Sequence, residues 1–228
     1  MSVEFRRRFV ERVYATHNTS ARIEAAVSRC LAVLRPHDRA LNLGSGHTPR
    51  RVGMINFDRV QTAEVDCIGM AEQLPFRSET IKVVITQETL EHVREPSTAL
   101  AEIHRVMMPG GVLYCQLPFV IGYHPGPTDF WRFSQQGIEQ IVLQAGFQCD
   151  EVSIAVGPAT GFYRIAVEFV ALMAARAFRN LYIPAKAAAA LLLAPVKLLD
   201  PLLLQCDQAD RLAGGYYVVA HKNSAEVP

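Results

Sequence analysis

The chain has 228 residues, half of them hydrophobic, and a formal net charge of +1, which allows one well-buried core with an appendage. Residues 36–160 carry nine basic and fourteen acidic side chains, net −5, so the centre of the chain is a poor nucleic-acid surface; the flanks 1–35 and 161–206 stand at +4 and +3. Five scattered cysteines without a Cys-x-x-Cys pair argue against a disulfide framework or zinc site and predict reduced, mostly buried thiols.

In chain order, a helix is expected over 20–34, where Ala21, Ile23, Val27, Leu31 and Leu34 recur at mostly helical spacing behind Ser20 as N-cap. Short strands are expected at 40–43, 54–58, 64–68, 81–86 and 112–117. A helix over 97–107, with Leu100, Ile103, His104 and Met107 on one face, ends at Pro109-Gly110-Gly111. A further helix over 134–145, a strand over 149–156 and a last strand over 216–220 complete the set. Alternating strands and helices predict an open, mostly parallel α/β sheet in one domain, divided into an N-terminal helical region (1–35), a core (36–160), an apolar helical insertion (161–206) and a last strand with its tail (207–228).

The opening run Glu4 and Arg6-Arg7-Arg8 lacks the apolar centre of a secretory signal, so a cytoplasmic protein is expected, possible contact with the inner face of a membrane included. The three arginines read as a solvated face or a phosphate contact.

Gly44 and Gly46 follow the first strand, where a glycine turn in an α/β sheet lets a cofactor touch backbone. Asp58 closes the second strand, where a carboxylate can accept hydrogen bonds from both hydroxyls of a ribose. A lone Gly-x-Gly is equally compatible with a structural turn; the pairing with Asp58 is more specific.

With the stretches Leu41-Asn42-Leu43-Gly44-Ser45-Gly46, Ala71-Glu72-Gln73-Leu74-Pro75-Phe76, Leu90-Glu91-His92-Val93 and 102–111 in this order, the chain resembles the class I S-adenosylmethionine-dependent methyltransferases. The likeness is to a type 11 domain, in a branch associated with glycan and cell-envelope gene sets. It implies a Rossmann-like seven-stranded sheet with one antiparallel edge strand and S-adenosyl-L-methionine as cofactor. By position, Gly44, Ser45 and Gly46 would pass the amino-acid part of the donor, Asp58 would hold its ribose, Met70 and Ala71 would flank the adenine, and Gln87 would lie beneath the sulfonium. The sequence departs from the family pattern at Asn42, Thr48, Met70 and Lys82, and Pro49 and Gly53 leave little room for the usual first helix.

The stretch Tyr123-His124-Pro125-Gly126-Pro127-Thr128-Asp129-Phe130-Trp131-Arg132 follows the fifth strand and holds the only tryptophan. One reading makes Tyr123, Phe130 and Trp131 a wall of the acceptor pocket, His124 or Asp129 the catalytic base and Arg132 a partner for an anionic group. The other is an ordered crossover in which Asp129 pairs with Arg132 and Trp131 fills core. His92, four residues after Glu88, reads as a structural histidine, and no metal is expected. The acceptor is then a small molecule or glycan, methylated on oxygen; the alternative is a degenerate fold serving as a binding or scaffolding subunit. A nicotinamide-dependent oxidoreductase is disfavoured, because the loop lacks the third glycine that a pyrophosphate needs.

In 161–206, Lys186 and Lys197 bound the run 187–196 to ten apolar residues, which argues against a transmembrane helix. A lid, a homodimer surface and a peripheral membrane contact remain.

Overall fold

A computed structural model describes residues 20–224, so the Arg6-Arg7-Arg8 run lies outside the described residues. Seven strands form one sheet: β1 (Ala40–Leu43), β2 (Met54–Asp58), β3 (Cys67–Ile68), β4 (Ile81–Gln87), β5 (Met107–Pro118), β6 (Phe147–Val156) and β7 (Gly215–Lys222). Their order is β3-β2-β1-β4-β5-β7-β6. The pairs β2–β3, β1–β2, β1–β4 and β4–β5 are parallel. The mostly parallel sheet with an antiparallel edge is that of a class I methyltransferase fold.

The sheet reverses its order between β1 and β4, so their carboxyl ends flank a topological switch point, where an α/β sheet leaves a crevice for ligand. β1 is buried along its whole length, as a strand covered on both faces must be.

The chain divides into two compact units. The larger holds described residues 25–118, 124–153 and 216–224, and with them the strands β1 to β5. Helix α1 (Ala21–Leu31) begins behind Ser20, whose hydroxyl accepts from the Ile23 N–H at 3.2 Å. Helix α2 (Pro96–Val106) buries Ala99, Leu100, Ile103 and Val106, the face its spacing predicts. Helix α3 (Gln135–Gln144) is capped by Ser134, which accepts from the Gly137 N–H.

Two expectations need correction. The strand expected over 64–68 is paired only at Cys67–Ile68, because the Asn56 N–H is taken by the Asp66 side chain, at 2.9 Å, in place of a backbone carbonyl. The fifth strand begins at Met107, so Pro109-Gly110-Gly111 lies within it. The extra residues are absorbed as a register shift against β4, between Ile81 and Val83. As Pro49 and Gly53 imply, no helix forms between β1 and β2; a turn closed by the Thr48 N–H on the Ser45 carbonyl, 2.8 Å, stands there.

The smaller unit holds described residues 20–24, 119–123 and 154–215. Helix α4 (Pro158–Ala177) packs on α5 (Tyr182–Leu193) through Tyr163, Val167, Ala189 and Ala190. The Tyr163 hydroxyl donates to the Ala190 carbonyl at 3.2 Å, and Lys186 pairs with Glu168 at 2.7 Å. In the short helix α6 (Asp200–Leu203), Asp200 caps the start of α4 from forty residues away, accepting from the Ala159 N–H at 2.8 Å and the Thr160 hydroxyl.

Lys186 and Lys197 do not bound the apolar run as expected, because both lie inside a longer helical stretch. The chain winds helically, in α and 3₁₀ turns, from Arg179 to Leu203, 25 residues that are long and apolar enough to cross a membrane by length and composition.

Candidate functional site

The carboxyl ends of β1 to β4 open into a cavity of about 460 Å³, within the range of roughly 300–1,000 Å³ typical of small-molecule sites. Leu43 and Gly44 reach it from β1, Phe57 and Asp58 from β2, Gly69, Met70 and Ala71 from beyond β3, and Glu88 and Thr89 from beyond β4.

Gly44 and Gly46 both have positive φ, +74° and +53°. At Gly44 the requirement for glycine is also steric, since a Cβ would lie 2.0 Å from the Thr89 hydroxyl. That hydroxyl donates to the Leu43 carbonyl, 3.2 Å, and so joins the end of β4 to the end of β1. The loop is then fastened from β2. Asp58 accepts the Gly46 N–H on one oxygen and the Val60 N–H on the other, at 2.8 and 2.9 Å. A carboxylate has about four acceptor positions, so each oxygen keeps one for a ribose hydroxyl.

Two of the four departures from the family pattern are built into this fastening. Asn42, in place of an acid, donates to Asn56 at 3.0 Å, and Asn56 donates in turn to the carbonyls of Thr48 and Glu64 at 2.8 and 3.0 Å. Thr48 closes the turn that replaces the first helix. Lys82 lies at the opposite end of β4, donating to the Gly110 carbonyl at 2.8 Å. Met70 is half-exposed and lines the cavity.

The segment beside Ala71 is held by α2. Glu102 accepts from the Leu74 N–H at 2.8 Å, and Arg105 donates to the carbonyls of Leu74 and Phe76, 3.0 Å each, while pairing with Glu102 at 2.7 Å. That pairing holds the Glu102 carboxyl below its ordinary pKa. Two of the sequence stretches that carry the resemblance are thus two halves of one clamp.

Gln87 is half-buried and donates to Gln116 at 3.2 Å, alongside the Tyr114 hydroxyl at 2.9 Å; it is not among the residues lining the cavity. The next residue, Glu88, does line it, and holds φ +51°, a conformation costing a non-glycine residue about 1–3 kcal/mol.

The loop after β5 is strapped to the turn after β4. The Phe130 N–H donates to the Glu91 carbonyl at 2.8 Å, the Thr128 hydroxyl to the His92 carbonyl at 2.9 Å, and the Trp131 indole to the Val93 carbonyl at 3.1 Å. Gly126, Thr128 and Phe130 reach the cavity, with the Arg94 guanidinium 5.5 Å from the centre of the Phe130 ring. Trp131 and Arg132 are not among the lining residues, and Tyr123 belongs to the smaller unit, where it is exposed.

Asp129 does not fit the part of a base. Its carboxylate is buried, bound by both terminal nitrogens of Arg132 at 2.5 and 2.6 Å and by the His124 N–H at 2.8 Å. The Arg132 bonds hold its pKa at about 2, so at neutral pH it has no appetite for a proton.

Spacing alone misleads for Glu91. Leu90–His92 is a single 3₁₀ turn, so His92 meets Glu91 rather than Glu88. The Glu91 carboxylate is fully buried and faces His92 Nε2 at 3.6 Å and His124 Nε2 at 3.5 Å, contacts longer than an ordinary hydrogen bond. Burial raises the Glu91 pKa, and Glu91 in turn raises that of His124. Glu91 and His92 stand in one of the stretches that carry the resemblance, yet nothing in the sequence joins them to His124, 32 residues on.

A family model for a methyltransferase domain matches residues 52–115, which include β2 to β4 and begin past the glycine loop. An uncharacterized methyltransferase of Schizosaccharomyces pombe is 39% identical over 49 residues, 22% of this chain and 18% of that protein's length. Of solved structures, the [4+2]-cyclase SpnF aligns over 91% of this chain and 84% of its own, at 17% identity and a TM-score of 0.52. Phosphoethanolamine N-methyltransferase 2 of Haemonchus contortus, solved with phosphomonomethylethanolamine and S-adenosylhomocysteine, aligns over 94% of this chain and 56% of its own, at 14% identity and a TM-score of 0.53. The chain thus carries a class I methyltransferase fold, one that also serves a cyclase.

Proposed function

We propose that the protein is an S-adenosylmethionine-dependent methyltransferase acting on an oxygen of a small-molecule or glycan acceptor. The observation that carries this reading is Asp58. Its carboxylate stands at the end of β2 and lines a cavity at the switch point, with acceptor capacity for two vicinal hydroxyls. A scaffold that had lost the donor would have no use for that arrangement.

S-adenosylmethionine supplies an electrophilic methyl group on a sulfonium. The protein's part is to hold donor and acceptor in line, with water excluded, and to receive the acceptor's proton. Gly44 admits the donor's backbone-facing end, Asp58 holds its ribose, and the segment clamped by Glu102 and Arg105 flanks its adenine. Gly126, Thr128 and Phe130 form the wall against which an acceptor would lie. The proton would leave toward His92, which lines the cavity, with Glu91 and His124 behind it; Asp129 and Arg132 hold His124 in place.

Calorimetric titration with S-adenosylmethionine and S-adenosylhomocysteine tests the reading. Binding is expected in the micromolar range, weakened at least tenfold, about 1.4 kcal/mol, by Asp58→Ala. Absence of heat from folded wild-type protein would leave the binding-subunit reading in its place. A screen of glycans and lipid-linked sugars, with transferred methyl as readout, then identifies the acceptor.

A further inference from the structure

We infer that Glu91, His92 and His124 form a binding site for one divalent transition-metal ion beside the cavity. One side-chain ligand atom from each lies within 4.8 Å of the others. The contacts of Glu91 with the two imidazoles, 3.5 and 3.6 Å, approach the separation of about 3.3 Å between neighbouring ligands of a tetrahedral ion with bonds near 2.0 Å.

Three observations support the site. Glu91 is a fully buried carboxylate held only by long contacts with two imidazoles, 3.5 and 3.6 Å, an arrangement that costs several kcal/mol unless a cation, imidazolium or metal ion, balances it. His92 directs Nδ1 at the Thr128 carbonyl, 2.5 Å; a carbonyl only accepts, so Nδ1 carries the hydrogen and Nε2 keeps its lone pair for the cluster. The Nδ1 of His124 lies 3.3 Å from the Arg132 guanidinium, which only donates, and 3.5 Å from Asp129; binding a metal through Nε2 requires the imidazole to exchange the first partner for the second, the outer oxygen that orients a metal-bound histidine. Two imidazoles and one carboxylate suit zinc or cobalt and leave a further coordination position. His92 and Thr128 also line the cavity, so that position would be within reach of an acceptor hydroxyl, whose proton a metal ion would make easier to remove.

The site does not depend on the methyltransferase reading, and its test does not use activity. Metal content of the protein, cobalt(II) absorption and melting temperature with added zinc are measured on wild type and on His92→Gln, His124→Gln and Glu91→Gln. One cobalt per chain with tetrahedral visible bands is expected, together with a melting temperature raised by about 5 °C or more at a hundredfold excess over Kd. Each variant should lose at least tenfold in affinity. If folded wild-type protein gives neither bands nor a shift, the cluster shares a proton instead and the inference fails.

A separate observation concerns the smaller unit. Among the described residues, fourteen of the 24 exposed large hydrophobic side chains fall within 162–202. On α4 they form a stripe of Phe162, Ile165, Phe169, Leu172 and Met173 opposite its packed face, leading to exposed Arg176 and Arg179. The only acids in 161–206 are engaged within the unit, Glu168 with Lys186 and Asp200 with the start of α4. Over 161–206 the exposed surface is thus apolar with a positive rim; two further acids of the unit, Asp207 and Asp210, follow this stretch beside Arg211.

We propose that this surface lies on an anionic lipid bilayer. Although the helical run 179–203 is long enough to span, α5 is tied along α4, which favours a helical pair lying in the interface. Co-sedimentation should be strong with phosphatidylcholine–phosphatidylglycerol vesicles, weak with phosphatidylcholine alone, and reduced at least tenfold by Phe169→Asn, Leu172→Asn and Met173→Asn together. Failure to bind either vesicle overturns the proposal. So does a dimer that these substitutions dissolve, which would make a second copy the partner.

Discussion

Helices α2 and α4 begin alike, each with proline in its first turn, no early acid and a basic last turn, yet they bury opposite halves of their composition. α2 turns Leu100, Ile103 and Val106 inward. α4 turns Ala159, Ala171 and Val167 inward beside Tyr163 and leaves Phe169, Leu172 and Met173 outside. Burial of large side chains is the main source of stability, so a helix that leaves most of its large ones outside gains less from its own packing.

The sharpest way to break the contrast is truncation on each helix. Ile103→Ala should cost about 2–5 kcal/mol in urea unfolding, while Leu172→Ala should stay within about 0.5 kcal/mol. A Leu172→Ala cost near that of Ile103→Ala would mean the α4 stripe is covered within the chain. Gly44→Ala should follow, at about 1–3 kcal/mol of stability with a loss of donor binding beyond tenfold, because the new methyl group meets the Thr89 hydroxyl at a positive φ. Retained donor affinity in a folded Gly44→Ala protein would separate the loop from the cofactor.

A smaller effect is expected at the clamp that α2 sets on the cavity wall. The Glu102 carboxyl is held below its unfolded pKa by Arg105, so its contribution is present above about pH 4.3 and is lost as pH falls through the depressed folded value. Glu102→Gln should therefore lower stability by about 1–2 kcal/mol at pH 7, with the gap to wild type closing in acid. A gap independent of pH would assign the loss to packing. The smallest change is expected from Leu172→Asn alone, near zero in free solution but measurable on anionic vesicles.

The strands at 40–43 and 54–58, the caps Ser20 and Ser134 and the buried face of α2 were legible from the sequence alone, since local propensity and apolar periodicity act over a few residues. So was the placing of the turn at Gly44 and Gly46 next to Asp58, because a glycine turn after one strand and an acid at the end of the next recur at readable spacing. The sequence could not show that Asn42 and Asn56 fasten the shortened loop, that Glu102 and Arg105 clamp 74–76, or that Asp129 is spent on Arg132. Nor could it bring Glu91 and His92 to His124. Each of these depends on side chains that meet only when separate segments are folded together, and on burial, which turns an ordinary glutamate into a carboxylate in need of a cation.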